Sequence, residues 1–293
     1  MIQIKNISKI LGNSKVLANI SLDIEDNSIF GLVGINGAGK STLLRCISGV
    51  YNLEEGEILI DNENVYENNK IKEQILFVSD ELFINRQTTI KSLIKFYETF
   101  YNLNKDNLYT YLNEFQVNIT NKSLNTFSKG MKRRVLLSFA LACNPKYLLL
   151  DEAFDGLDPL GKLKFKKYIT QMIEENGMSV IIASHSLREL EAICDKFAML
   201  NKGELVSFGN VGENKNDYYK VLMAFENEID LNNFTDECIV NKSKMLRIVT
   251  LIVKCKKDDI EPLFSKYKPL TLDIIDLTFE ESFVYQSEAY YDK

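Results

Sequence analysis

The 293-residue chain contains a single histidine, His185, and that scarcity excludes any metal site built from several imidazoles. Its five cysteines, Cys46, Cys143, Cys194, Cys238 and Cys255, are odd in number and far apart, with no Cys-x-x-Cys pair. The spacing argues against a disulfide framework or a zinc knuckle and for buried, reduced thiols. Positive charge is short as well: 35 Lys and Arg against 41 Asp and Glu leave a net charge of -6. A chain of that sign does not attract phosphate backbones in bulk, so no nucleic-acid partner is expected. Missing too is any apolar run near the roughly 18 residues of a membrane span. The longest are pieces such as Tyr147 to Leu150, so a membrane role would have to come through a partner. Strand-like alternation starts at once with Ile2, Ile4 and Ile7, without the pattern of a signal peptide.

What is present is ordinary globular composition, 45% hydrophobic and 26% charged, which excludes a mainly disordered chain. The length is about twice the roughly 150 residues of one domain, so two domains, or one with an appendage, are expected. Short β segments with turns run from Met1 to about Ile60: Ile2 to Ile7, Val16 to Ile24, and Glu57 to Ile60 before a turn at Asp61-Asn62. Among them an apolar strand, Ser28 to Val33, enters a glycine-rich loop and then a helix ending at Gly49. From Ile90 to Phe115 the pattern is helical and aromatic, with Leu93, Ile94, Phe96, Tyr97, Phe100 and Tyr101 reading as a core face rather than a cofactor box. A further helix follows Ser128, and buried strands are expected at Tyr147 to Leu150 and Val180 to Ala183. Ser186 with Glu189 reads as a capping box, and Phe197 to Phe208 as a hairpin turning at Asn201-Lys202-Gly203. The polar stretch 209–217 reads as a linker. Beyond it, strands Tyr218 to Phe225 and Met245 to Val253 alternate with helical candidates Asp258 to Tyr267 and Phe279 to Ala289.

Gly34-Ile35-Asn36-Gly37-Ala38-Gly39-Lys40-Ser41-Thr42 matches a phosphate-binding P-loop and lies where one must, between a strand and a helix. The glycines let backbone N–H groups face the phosphates, Lys40 reaches the β and γ phosphates, and Ser41 offers its hydroxyl to Mg²⁺. Tyr147 to Leu150 runs into Asp151-Glu152. Asp151 at a strand's C-terminal end can hold Mg²⁺ through water, and Glu152 can polarise an attacking water. Alone, an apolar run ending in two acids is a weak signal; it gains meaning from the P-loop upstream. Ser128 in Phe127-Ser128-Lys129-Gly130-Met131 would, taken alone, be an ordinary helix cap. A lone histidine such as His185 is most often structural, but here it follows the strand Val180 to Ser184 in a chain that carries the other motifs.

The order P-loop, Ser128-x-Gly130, Leu148-Leu149-Leu150-Asp151-Glu152, Gly156-Leu157-Asp158 and His185 resembles the ATPase subunits of ABC transporters. In that family the serine element reads Leu-Ser-Gly-Gly-Gln, so Phe127, Lys129 and Met131 depart from it while Ser128 and Gly130 match. The variant Ser-Lys-Gly-Met-Lys resembles the exporter branch whose ATPase and membrane chains are separate. The resemblance implies an α/β fold: a P-loop ATPase core (1–208) with an antiparallel β subdomain and a helical insert at about 79–128, then a small α+β domain (218–293). It implies ATP and Mg²⁺ as cofactors, with nucleotide held by residues 36–42 of one chain (Asn36, Gly37, Ala38, Gly39, Lys40, Ser41, Thr42) and by Ser128 and Gly130 of another. Ser41 and Asp151 become metal ligands, Glu152 the base, and His185 the residue contacting the γ-phosphate. Gly156-Leu157-Asp158 matches the loop that crosses the dimer interface. Two positions depart further: Leu11 stands where an adenine-stacking aromatic is usual, and Asp80 stands where a glutamine links Mg²⁺ to the membrane partner. Asp80 is thus either a metal ligand in the glutamine's place or part of a solvated acidic loop.

The implied partners are a separate transmembrane permease and a second ATPase chain, identical or related. The implied location is cytoplasmic, on the inner face of the membrane. The implied activity is ATP hydrolysis driving export of a peptide, antimicrobial or drug. The rival readings are a soluble ABC-type ATPase acting on ribosomes or DNA, and a nucleotide-binding regulator without turnover. Charge, length and a single cassette disfavour the first; Glu152 and His185 disfavour the second.

Overall fold

The computed structural model describes residues 1–80, 87–211, 217–278, 281 and 285. These form two compact units, Met1–Phe208 and Gly209–Lys293. In the first, β1 (Ile2–Leu11) and β2 (Ser14–Ile24) form an antiparallel pair in which Ile2 faces Ile24. β3 (Ile29–Val33) leads through the glycine-rich loop into α1 (Lys40–Ile47). β4 (Glu55–Ile60) turns at Asp61-Asn62, both at positive φ, into β5 (Glu63–Asn64). A short α2 (Asn69–Lys72) precedes β6 (Ile75–Val78).

The helical stretch expected from Ile90 to Phe115 is two helices, α3 (Ile90–Phe100) and α4 (Lys105–Glu114). The break is local: Tyr101 is extended, and Asn104 caps α4 by accepting from Asn107 N–H at 3.0 Å. The aromatic stripe is only half core. Ile90, Ile94 and Tyr97 turn inward, Tyr97 packing on Phe139 with ring centroids 4.8 Å apart. Phe96 and Phe100, four residues apart, share the outer face and are more than half exposed.

α5 (Lys129–Cys143) then feeds β7 (Tyr147–Asp151), followed by α6 (Pro159–Asn176), β8 (Ser179–Ser184) and α7 (Leu187–Glu191). β9 (Lys196–Asn201) turns back at Lys202-Gly203 into β10 (Glu204–Asn210). The main sheet has the order β10-β9-β3-β8-β7-β6, with β3, β6, β7, β8 and β9 parallel. Every residue of β3, β7 and β8 is buried, which is why these strands read as unbroken apolar runs rather than alternations. Each fully buried leucine of Leu148-Leu149-Leu150 contributes roughly 1.5–3 kcal/mol of transfer free energy. The second sheet, β2-β1-β4-β5, shares one core with α1 through Ile4, Ile20, Ile58, Leu43 and Ile47.

The capping box read at Ser186 does not form. Ser186 makes no side-chain cap; its N–H donates to Ser184 Oγ, and Glu189 pairs with Lys162. The expected linker also begins late, because Gly209 and Asn210 complete β10, and 212–216 lie outside the described residues.

The second unit holds β11 (Tyr218–Ala224), β12 (Ile239–Met245), β13 (Ile248–Lys254), α8 (Lys257–Ser265) and β14 (Thr271–Asp276). Its antiparallel sheet runs β12-β13-β11-β14. Ile260 and Phe264 of α8 pack on Val221, Met223, Val249 and Leu251. The expected helix Phe279 to Ala289 lies almost wholly outside the described residues. Among the described residues no helix is long and apolar enough to cross a membrane.

Candidate active site

The C-terminal ends of three adjacent parallel strands meet at one edge of the main sheet, the position where open α/β sheets bind ligands. From β3 comes the glycine-rich loop. Gly39 enters α1 at φ +105°, a conformation that excludes a β-carbon, and a side chain there would strike Leu17 and Val16 O. A β-carbon at Gly37 would meet nothing within 4 Å, so the loop opens onto free space. Lys40 is buried to 5% exposure beneath it. Its ammonium donates to Gly34 O at 2.7 Å and Ile35 O at 3.3 Å, and lies 3.6 Å from Glu152 Oε1. Burial pushes the Lys40 pKa down, while Glu152 and Asp151 oppose that shift.

From β7 come the two acids. Asp151, 1% exposed, accepts from Ser41 Oγ at 3.0 Å. Burial raises its pKa, and the Ser41 hydrogen bond counters part of the rise. Glu152 follows at φ +48°, strained for a residue with a β-carbon, and its N–H donates to Ala183 O at 2.9 Å. The turn aims its carboxylate at His185, which stands just past β8; Nδ1 and Oε2 are 3.0 Å apart. Asp155 completes a cluster with Glu152 and His185 whose ligand atoms lie within 4.8 Å of one another.

The loop and the acids fit a magnesium nucleotide. The Lys40 ammonium under an open glycine loop is placed to meet phosphate oxygens, and the Ser41–Asp151 pair presents the hard oxygens Mg²⁺ prefers. A dication there would also hold Asp151 ionised against the effect of burial.

The serine element lies at the start of α5. Ser128 Oγ accepts from Met131 N–H at 3.2 Å, so it does cap a helix, and it is exposed. Gly130 is required by contact: a β-carbon on it would sit 2.3 Å from Gly156 O. The helix start thereby rests on the loop that follows Glu152. Asp158 caps α6 through Gly161 N–H and pairs with Arg134 at 3.0 Å.

The structure brings Lys40, Ser41, Asp151, Glu152 and His185 together, with Asn36 and Gly37 exposed on the loop and Ala38 and Thr42 buried behind it. It does not bring Asp80 to the Ser41–Asp151 pair by any hydrogen bond among the described residues. Asp80 Oδ1 instead accepts from Arg133 at 2.9 Å and lies 3.4 Å from the Lys129 ammonium. Sequence reasoning missed Lys129, Arg133 and Asp155 as site neighbours. The signal for Asp155 was its position three residues after Glu152. Nothing local marks Arg133, which is buried on α5. Leu11 is one-third exposed.

Fold and loop define a P-loop ATPase. The ABC transporter family profile matches residues 17–155. Over 97% of both chains, the protein is 26% identical to the ABC transporter ATP-binding protein YtrB of Bacillus subtilis. It is 32% identical to the methionine import ATP-binding protein MetN of Clostridium tetani, covering 72% of this chain and 70% of that one. With the lipopolysaccharide export system ATP-binding protein LptB of Haemophilus influenzae it shares 31% identity, over 73% of this chain and 92% of the other. A dimeric ATP-binding cassette solved in a post-hydrolysis state with ADP and Pi has the same fold (TM-score 0.66, 24% identity, 73% of this chain and all of that one). The chain belongs to the ATP-binding subunits of ABC transporters, and as such it binds ATP with Mg²⁺ and hydrolyses it.

Proposed function

We propose that the chain is the ATPase subunit of an ABC exporter, pairing head-to-tail with a second ATPase chain and docking on a separate transmembrane permease from the cytoplasmic side. The observation that carries the two-chain part is the division of the site. One chain holds one P-loop and one Ser128–Gly130 helix start, and Ser128 makes no hydrogen bond to the P-loop among the described residues. Two chains therefore make two complete sites. The helix start supplies N–H groups to the partner's γ-phosphate, and Gly130 keeps it seated on the Gly156 loop of its own chain.

In this reading Lys40 leaves the Gly34 and Ile35 carbonyls for phosphate oxygens as nucleotide enters. Ser41 and Asp151 would hold the Mg²⁺, whose charge offsets that of the phosphates. Glu152 orients and polarises the attacking water, and its strained backbone keeps the carboxylate at the sheet edge. His185, hydrogen-bonded to Glu152, holds that carboxylate in place and faces the γ-phosphate.

Export is supported by the Ser128-Lys129-Gly130-Met131-Lys132 pattern, and a peptide, antimicrobial or drug cargo follows from the same resemblance. Among the relatives, LptB is named for export and MetN for import. The test is affinity capture from detergent-solubilised membranes, identification of the bound chain, and transport by the pair in vesicles. A multi-span partner that stimulates ATP turnover and moves solute outward is expected. Capture of ribosomes, or inward movement, would refute the proposal.

A further inference from the structure

Two departures from the family pattern meet in space. Lys129 stands where the serine element usually has glycine, and Asp80 where a glutamine is usual; they are 49 residues apart in the chain. The Lys129 ammonium lies 3.4 Å from Asp80 Oδ1 and 3.4 Å from Asp155 Oδ2. One turn along the same helix, Arg133 donates to Asp80 Oδ1 at 2.9 Å and to Ser79 O at 3.1 Å. Arg133 has no exposed surface, and its Nε and the nearby Ser79 Oγ are buried without partners. Unpaired buried polar atoms persist only where the surrounding contacts hold them in place. Here Asp80 is the carboxylate that neutralises the buried guanidinium, and Lys129 is the second cation it draws in. A glutamine at 80 could accept from Arg133 but could not balance either cation, and a glycine at 129 would leave the Asp155 loop unattached to this network.

We propose that Asp80 and Lys129 are a matched positioning pair that ties the start of the Ser128-capped helix to the loops on either side of it, setting Ser128 and Gly130 for a second chain's nucleotide. This rests on the head-to-tail reading above. Lys129 and Asp80 are 57% and 40% exposed, so the contact between these two contributes little to folding stability, unlike that of Asp80 with the buried Arg133; its effect falls on where the helix start sits.

The test is a double-mutant cycle in the full chain: Asp80→Asn, Lys129→Met and both together, with Lys129→Arg as the conservative control. Asp80→Asn keeps an oxygen acceptor for Arg133 while removing the charge that holds Lys129. Each single change should lower kcat for ATP about five- to tenfold and leave binding of a fluorescent ATP analogue within about twofold. Lys129→Met should barely move the thermal midpoint, while Asp80→Asn, which also leaves the buried Arg133 guanidinium without its balancing charge, should lower it. The double variant should be no worse than the poorer single one, and Lys129→Arg should retain about half the activity or more. Losses that multiply in the double variant, or singles with normal kcat, would overturn the pairing. A higher Mg²⁺ requirement for Asp80→Asn would make Asp80 a metal ligand and overturn it too. ATP-induced dimerisation of Glu152→Gln with the pair intact tests the head-to-tail reading separately. Its absence, alongside a non-multiplicative cycle, would refute that reading and leave the coupling of Asp80 to Lys129 standing.

Discussion

Replacing Gly130 by alanine adds one methyl group at the closest backbone contact of the site. Its β-carbon would lie 2.3 Å from Gly156 O, and real β-carbons essentially never come within 3.0 Å of such an atom. The start of α5 and the loop after Glu152 must therefore separate by at least 0.7 Å, and neither partner is a flexible side chain. Overpacking of this kind costs about 1–3 kcal/mol. Better helix propensity offsets up to about 1 kcal/mol of it. The net loss, up to about 2 kcal/mol, lowers the melting temperature of a unit this size by up to roughly 4–8 °C. The functional loss should be larger, because the displaced loop carries Glu152 and the displaced helix carries Ser128. A tenfold or greater fall in ATP turnover is expected, with binding of a fluorescent ATP analogue retained, since Lys40 and Ser41 are untouched. Calorimetry and steady-state turnover on the same preparation check both. Wild-type melting together with wild-type turnover would refute the contact argument.

Lys40→Ala removes the cation buried under the glycine loop, and ATP turnover should fall below detection in a phosphate-release assay. Lys40→Arg should not restore it, because a planar fork cannot follow the ammonium between the Gly34 and Ile35 carbonyls. Asp61 supplies a pH prediction: burial pushes its pKa up, but hydrogen bonds from Lys146, Tyr147 and the Met1 ammonium outweigh that and hold it at about 2. A depressed carboxylate pKa stabilises the fold above the unfolded value near 4 and stops doing so as pH falls through about 2. Asp61→Asn should thus cost about 1 kcal/mol at pH 7, allowing for solvent screening, a cost that shrinks below about pH 4 and is gone by about pH 1 in denaturant titrations.

The parts of the fold legible in the sequence are those whose burial is uniform. β3, β7 and β8 are buried at every position, so their apolar runs could be read directly. The glycine loop could be read because backbone geometry there restricts residue type. β12 escaped, since its Asn241, Lys242, Ser243 and Lys244 lie exposed at a sheet edge and carry no core alternation. β14 escaped although Leu272 and Ile274 are only partly covered on alternate positions, a signal too short to outweigh its flanking acids. Phe96 and Phe100 are exposed although aromatic content suggests burial, because the helical phase puts them on the outer face of α3. The Asp80–Lys129–Arg133 network was invisible for another reason. Each residue looks like a solvated charge in its own segment, and only the tertiary fold joins them.

If ATP is hydrolysed between two chains with Glu152 acting on the water, one variant shows it directly. Glu152→Gln keeps the side chain's shape and removes the base, so turnover should fall by on the order of 10² to 10⁴ while ATP still binds. Unhydrolysed ATP then bridges the P-loop of one chain and Ser128 of the other, stabilising the pair by mass action. Light scattering of that variant should give the dimer mass with Mg²⁺ and ATP, the monomer mass with ADP, and the monomer mass with ATP once Ser128→Arg is added. A monomer in all three, with bound ATP demonstrated, would contradict the two-chain site, and a dimer in all three would place the contact elsewhere.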